Sequence, residues 1–179
     1  GEEIEGMAVA KKYKRADWNS VGKKALHASA TAEHAAAVLK AVDSAKIKKR
    51  KLRVALDFGN GTSALSRSLF ESLGCEIIAL NEKIDGTFPG RSSEPIEESL
   101  QQLCKEVRKN SADFGVAWDG DSDRVTFVEE KGGWIVGDKG FAISAARACG
   151  EARDQREKFV VTTVATIRAV EDACAALGA

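Results

Sequence analysis

The sequence predicts an α/β fold: a mixed, mostly parallel sheet flanked by helices, with an antiparallel hairpin behind an acidic loop. Three observations lead there. Short apolar segments of strand composition, 52–58, 75–80 and 112–118, alternate with segments whose apolar residues recur every three to four positions. That alternation makes βαβ units, whose strands run parallel. After the third segment, "VTFVEEKGGWIV" (125–136) instead reads as two strands joined by a Gly-containing turn at 131–133, a hairpin.

The elements follow in order. "TAEHAAAVLKAV" (31–42) has helical composition, with Ala32, Ala35, Ala36 and Leu39 at helical spacing. The basic run "KIKKRK" (46–51) reads as a solvated approach to the first strand. In "LRVALDF" (52–58), Leu52, Val54, Leu56 and Phe58 alternate with Arg53, Ala55 and Asp57, a strand with considerable burial. "GNGTS" turns the chain. Leu65, Leu69 and Leu73 then mark a helix that Gly74 closes, and "CEIIAL" (75–80) is the second strand.

The loop "NEKIDGTFPGRSSEP" (81–95) holds both prolines of the chain, and Pro95 suits the first turn of a helix. Ile96, Leu100, Leu103, Cys104 and Val107 trace the face of that helix. "ADFGVAW" (112–118) is the third strand, and "DKGFAISAARAC" (138–149) returns to helix. "EARDQREK" (151–158) reads as a charged linker. "FVVTTV" (159–164) and the spacing of Ile167, Val170, Cys174 and Leu177 read as a strand and a helix opening another domain. One strand and one helix cannot bury a core alone, so the chain reads as a fragment of a longer protein.

Composition narrows the function classes. Of 179 residues, 44% are hydrophobic, enough for a core, and 27 cations balance 27 anions. A balanced charge removes the bulk electrostatic case for nucleic acid or an anionic membrane. No apolar run reaches the roughly 18 residues of a membrane helix. The four cysteines form no CxxC pair, and Cys104 and Cys174 fall on apolar helix faces as small buried hydrophobes. Without a signal-peptide pattern or a disulfide framework, the expected location is the cytoplasm. His27 and His34 read as surface or packing residues, Lys158 as ordinary linker charge, and Trp18, Trp118 and Trp134 as packing residues.

The informative stretch is "WDGDSDR" (118–124). Asp119, Asp121 and Asp123 sit on alternate positions of a tight loop at the C-terminal end of a strand, the edge at which open α/β sheets bind ligands. Three converging carboxylates repel one another unless a cation neutralises them. Oxygen-only ligands suit a hard dication, Mg²⁺ or Ca²⁺, rather than zinc. Arg124 beside them can pair with the aspartates or grip a phosphate that the metal shares, an arrangement suited to phosphoryl transfer. A charged turn whose aspartates cap backbone amides is the plainer alternative. An EF-hand matches at Asp119, Asp121, Asp123 and Glu130, but Arg124 stands where the loop needs glycine and the flanks are strands.

A rival motif is "DFGNGTSA" (57–64). Gly59, Gly61 and Ala64 fit G-x-G-x-x-A between a strand and a helix, and Glu82 lies 23 residues beyond Gly59. This would make a Rossmann-like nucleotide-binding module, yet it leaves three aspartates unexplained. A non-catalytic metal-binding module is a third possibility.

Residues 113–139, "DFGVAWDGDSDRVTFVEEKGGWIVGDK", resemble the metal-binding loop region of the α-D-phosphohexomutases, the phosphomannomutase, phosphoglucomutase and phosphoglucosamine mutase superfamily, whose pattern is D-G-D-x-D-R in the second of four domains. "VALDFGNG" resembles the opening strand and turn of that domain, "DGTFPGRSSEP" its long loop, and "FVVTTVAT" the first strand of domain three, with archaeal-type proteins the nearest fit. The resemblance implies that 1–45 are the tail of a preceding domain and a linker helix, 46–150 the metal-binding domain, and 151–179 a linker and the start of domain three. It implies an intramolecular phosphotransferase interconverting hexose 6-phosphate and hexose 1-phosphate through a bisphosphorylated intermediate. Asp119, Asp121 and Asp123 would hold Mg²⁺, and Arg124 would contact the phosphoserine phosphate or the transferred group. The implied partners are a hexose phosphate substrate and the missing domains of the same enzyme.

The family's T-A-S-H-N-P phosphoserine motif is absent; "HASATAEH" (27–34) only echoes it. The sugar-selecting G-E-x-S-G and the phosphate-binding loop of domain four are also absent. The nucleophile is therefore expected outside this chain, which by itself should not turn over sugar phosphates. Ser122, at the variable position, is not nominated as the nucleophile. Two more cations, Arg91 in the long loop and Lys139 after the hairpin, are candidates to reach an anion or to be plain surface charge.

Overall fold

A computed structural model describes residues 1–152, 154 and 158–178. The chain divides into two units, Gly1–Ala30 and Thr31–Ala179. The first holds helix α1 (Glu2–Val9) and a 3-10 turn at Trp18–Ser20, with no buried residue in either. Glu2, Glu3 and Glu5 fill the first turn of α1, where the helix dipole favours anions. Trp18, expected to pack, is 89% exposed, because this stretch assembles no apolar face for it.

The second unit contains five strands, β1 (Arg53–Asp57), β2 (Glu76–Leu80), β3 (Phe114–Trp118), β4 (Val125–Glu129) and β5 (Trp134–Ile135). They form one sheet of order β2-β1-β3-β4-β5. As the sequence predicts, β1 runs parallel to both β2 and β3, and β4 and β5 follow antiparallel. The helices are α2 (Ala30–Ala41), α3 (Ser44–Arg50), α4 (Arg67–Ser72), α5 (Gln101–Lys109), α6 (Gly137–Glu151) and α7 (Arg168–Ala175).

Strand alternation divides the core. Val54, Leu56, Phe58 and Val116 build one cluster, joined by Phe70 of α4 and Trp118, whose ring stacks on Phe58 with centroids 5.9 Å apart. Ala55, Ala117 and Val128 enter a second cluster with Leu100 and with Leu103, Cys104 and Val107 of α5. The predicted face of α5 is therefore the buried one, except that Ile96 lies outside it, exposed. The basic run at 46–51 is exposed but mostly helical rather than an extended approach. Asp43 caps α3 by accepting from the Lys46 N–H (2.9 Å), and Lys48, Lys49 and Arg50 occupy its last turn, the end that favours cations.

The hairpin turns where the glycines stand. Glu129 accepts the Lys131 N–H (3.1 Å) and the Gly133 N–H (2.8 Å), and Trp134 Nε1 donates to Thr126 Oγ1 (3.0 Å). The two backbone donors hold the Glu129 carboxyl below its ordinary pKa, the Lys131 N–H contributing most. A depressed carboxyl adds stability that is present above its unfolded pKa and lost as pH falls through the folded one. NMR titration is expected to place Glu129 below ordinary exposed glutamates, and Glu129→Gln to flatten the acid limb of the melting-temperature profile. An ordinary Glu129 titration would remove this contribution.

Beyond α6 the structure departs from expectation. The strand predicted at 159–164 does not form: residues 158–163 carry no regular structure, and Val161 and Val164 are exposed. β-branched residues make a strand only where a neighbour completes the ladder, and none lies beside this segment among the described residues. The helix predicted after it does form. Val170 and Cys174 of α7 bury against Ala142, Ala145 and Cys149 of α6. Part of the predicted linker at 151–158 lies outside the described residues. Among the described residues no helix is long and apolar enough to cross a membrane.

Candidate metal centre

β1 and β3 are parallel neighbours, so their C-terminal ends reach the same rim of the sheet, one ending in Asp57 and the other leading into Asp119. The loop 119–124 leaves β3 and re-enters the sheet as β4. It turns through Gly120 and Ser122, the latter at φ +66°, a left-handed conformation. Carboxylate oxygens of Asp119, Asp121 and Asp123 all lie within 4.8 Å of one another, Asp119 buried and the other two exposed. The predicted convergence is therefore present, and an all-oxygen set at this spacing fits one hard cation.

Arg124 is tied into the cluster. Its Nε donates to Asp119 Oδ2 (2.9 Å) and Asp123 Oδ1 (3.4 Å), its backbone N–H to Asp119 Oδ1 (3.1 Å), and its Nη1 to Glu94. Burial pushes the Asp119 carboxyl up, but the Arg124 backbone N–H, Asp123 and the Arg124 side chain outweigh it and hold the carboxyl below its usual value. Asp123 is pushed up, first by its hydrogen bond with Asp119 and then by the charge of Asp121. Donating to the Glu94 carboxylate, more than to Asp119, raises the Arg124 pKa above its ordinary value. The bare loop thus carries more negative charge than one guanidinium offsets, the electrostatic condition for a dication.

The glycine motif lies against this loop rather than open to a ligand. The Thr62 N–H donates to the Gly120 carbonyl (3.1 Å), and Thr62 Oγ1 meets Ser122 Oγ at 2.8 Å. A Cβ on Gly61 would come within 2.5 Å of the Gly120 carbonyl oxygen, and one on Gly59 within 3.1 Å of the Trp118 carbonyl oxygen. Glu82, the acid a dinucleotide motif would use on ribose, pairs with Arg67 (2.8 Å). The glycines at 59 and 61 serve loop-to-loop approach.

Arg91 and Asp57, not foreseen as a pair, form a buried ion pair beneath the loop. The signal was a carboxylate ending an otherwise apolar strand, since a buried charge requires a partner. Arg91 reaches an anion, but one supplied by its own chain. Lys139 sits exposed in the first turn of α6.

Residues 32–133 match the model of the phosphoglucomutase/phosphomannomutase α/β/α domain II. This chain belongs to the phosphoglucomutase/phosphomannomutase family. It is 36% identical over 170 residues to a phosphoglucomutase/phosphomannomutase of Thermococcus kodakarensis, covering 94% of this chain and 36% of that protein. A probable phosphoglucosamine mutase of Methanosarcina acetivorans is 37% identical over 172 residues, 96% of this chain and 38% of its own length. The crystal structure of a family protein from Burkholderia thailandensis superposes with a TM-score of 0.61 at 26% identity, over 82% of this chain and 31% of that one. The chain thus spans less than two fifths of the length of these relatives.

Proposed function

We propose that this chain is the metal-binding part of a phosphohexomutase that interconverts hexose 6-phosphate and hexose 1-phosphate. Asp119, Asp121 and Asp123 would hold Mg²⁺. The observation that carries this is the convergence of the three carboxylates at the sheet rim with Arg124 bonded into them, in a chain whose relatives bear mutase names. A hard dication there would offset charge on the phosphoryl oxygens. Asp119 and Glu94 hold the Arg124 guanidinium beside the same loop, where a donor they do not use would bind a phosphate at the rim. The phosphoserine that donates the phosphoryl group would lie outside these residues, as would the sugar-selecting loop, so the chain alone is inactive on sugar phosphates. In the same reading 1–45 end a preceding domain, 46–150 are the metal-binding domain and 151–179 lead into the next. The free cysteines fit a cytoplasmic location.

Isothermal titration with Mg²⁺ tests the assignment. Asp121→Asn is expected to weaken binding on the order of tenfold, because affinity at oxygen sites tracks ligand charge. Asp121 is exposed, so the fold should be unaffected. Equal affinities in the two proteins would refute the metal site.

A further inference from the structure

We propose that Arg91 is the positioning residue of the metal loop, which it shapes by clamping the peptide that joins Trp118 to Asp119. Arg91 Nη2 donates to the Trp118 carbonyl at 2.6 Å, while its Nε donates to Asp57 Oδ2 at 2.8 Å and its Nη1 to the Ser92 carbonyl at 2.8 Å. The Arg91 side chain is 4% exposed and that of Asp57 2%. Asp57 is itself anchored, its Oδ1 accepting the Gly59 N–H and Asn81 Nδ2, both at 2.9 Å. One guanidinium thereby fixes the ends of β1 and β3 to the loop 81–95 and orients the peptide plane that delivers the first aspartate.

The backbone-to-backbone bonds within the loop are long, and its short internal bonds all run from Arg124 to Asp119. Asp119 N–H to the Arg124 carbonyl and Ser122 N–H to the Asp119 carbonyl are each 3.3 Å. The backbone path of the loop therefore leans on outside supports as well, and the segment 81–95 provides them at both ends: Arg91 at the entry, and Glu94 on Arg124 at the exit. Only a planar fork satisfies Asp57, Trp118 and Ser92 together. A lysine ammonium keeps the charge opposite Asp57 but lacks the fixed second and third directions.

This inference rests on the metal reading above, and its test separates the two. Arg91→Lys in the whole chain, with folding verified by circular dichroism, is expected to lower Mg²⁺ affinity about tenfold, the scale of supports behind metal ligands. Amide exchange at 119–124 should quicken in the same variant without metal. In Arg91→Ala, millimolar guanidinium ion should restore part of the lost affinity and slow the exchange again. If the unsubstituted chain binds no Mg²⁺, the metal reading fails, and the metal-free exchange rates still decide the role of Arg91. An Arg91→Lys chain with unchanged exchange, or with unchanged Mg²⁺ affinity where the parent binds, overturns the proposal. So does one that fails to fold, since Arg91 would then hold the fold rather than the loop.

Discussion

Asp57→Asn is expected to destabilise the chain by about 3–5 kcal/mol, the usual cost of stranding one member of a buried ion pair. The substitution preserves volume, so the loss is electrostatic. The asparagine can still accept the Gly59 N–H, but it cannot supply a carboxylate to Arg91 Nε as well. The Arg91 guanidinium would keep its charge with almost no access to water. A domain of this size has about 5–15 kcal/mol in total, so the change consumes much of the margin. Denaturant unfolding measures it directly as a drop in midpoint at constant slope. A second chain carrying Asp57→Asn and Arg91→Leu together should recover part of the loss, because removing both partners leaves no orphan charge. A single-variant loss below about 1 kcal/mol would show that water reaches Arg91 and that the pair is not a structural anchor.

Gly61→Ala is the second large effect, about 1–3 kcal/mol of destabilisation. Gly61 has φ −100° and ψ −168°, a conformation open to any residue, so backbone strain is not the reason. The reason is space. A Cβ there would lie 2.5 Å from the Gly120 carbonyl oxygen, 2.9 Å from Gly120 Cα and 3.0 Å from the Asp119 carbonyl oxygen, all backbone atoms of the metal loop. Either that loop moves away or β1's turn does. In both cases the Thr62 N–H loses its Gly120 acceptor. Mg²⁺ affinity should fall with stability, whereas a Leu65→Ala control on the exposed side of the same turn should change neither by much. Unchanged stability and affinity in Gly61→Ala would mean that the two loops are not held in contact.

Much of this was legible in the residues because the signals were local. β1 announced itself by alternation, β2 and β3 by short apolar runs of strand composition, the hairpin by its glycine turn, α5 by its apolar stripe, and the acidic loop by three carboxylates on alternate positions. Where the sequence misled, a partner was missing or unseen. "FVVTTV" has strand composition and no neighbour to ladder with. "KIKKRK" is helical because Asp43 caps it, a signal hidden by its solvated appearance. G-x-G-x-x-A looks like a phosphate cradle until the space over Gly61 proves to be filled by Gly120.

The sequence by itself determined the α/β class, the order of its strands along the chain and the identity of the three clustered aspartates, since each depends on residues within a few positions of one another. Only the tertiary structure decided that Arg91, 34 residues beyond Asp57, is its buried counter-charge, and that the glycine turn and the long loop hold the acidic loop in place. Those pairings are choices among distant groups, set by which strand ends share a rim, and no local pattern records them.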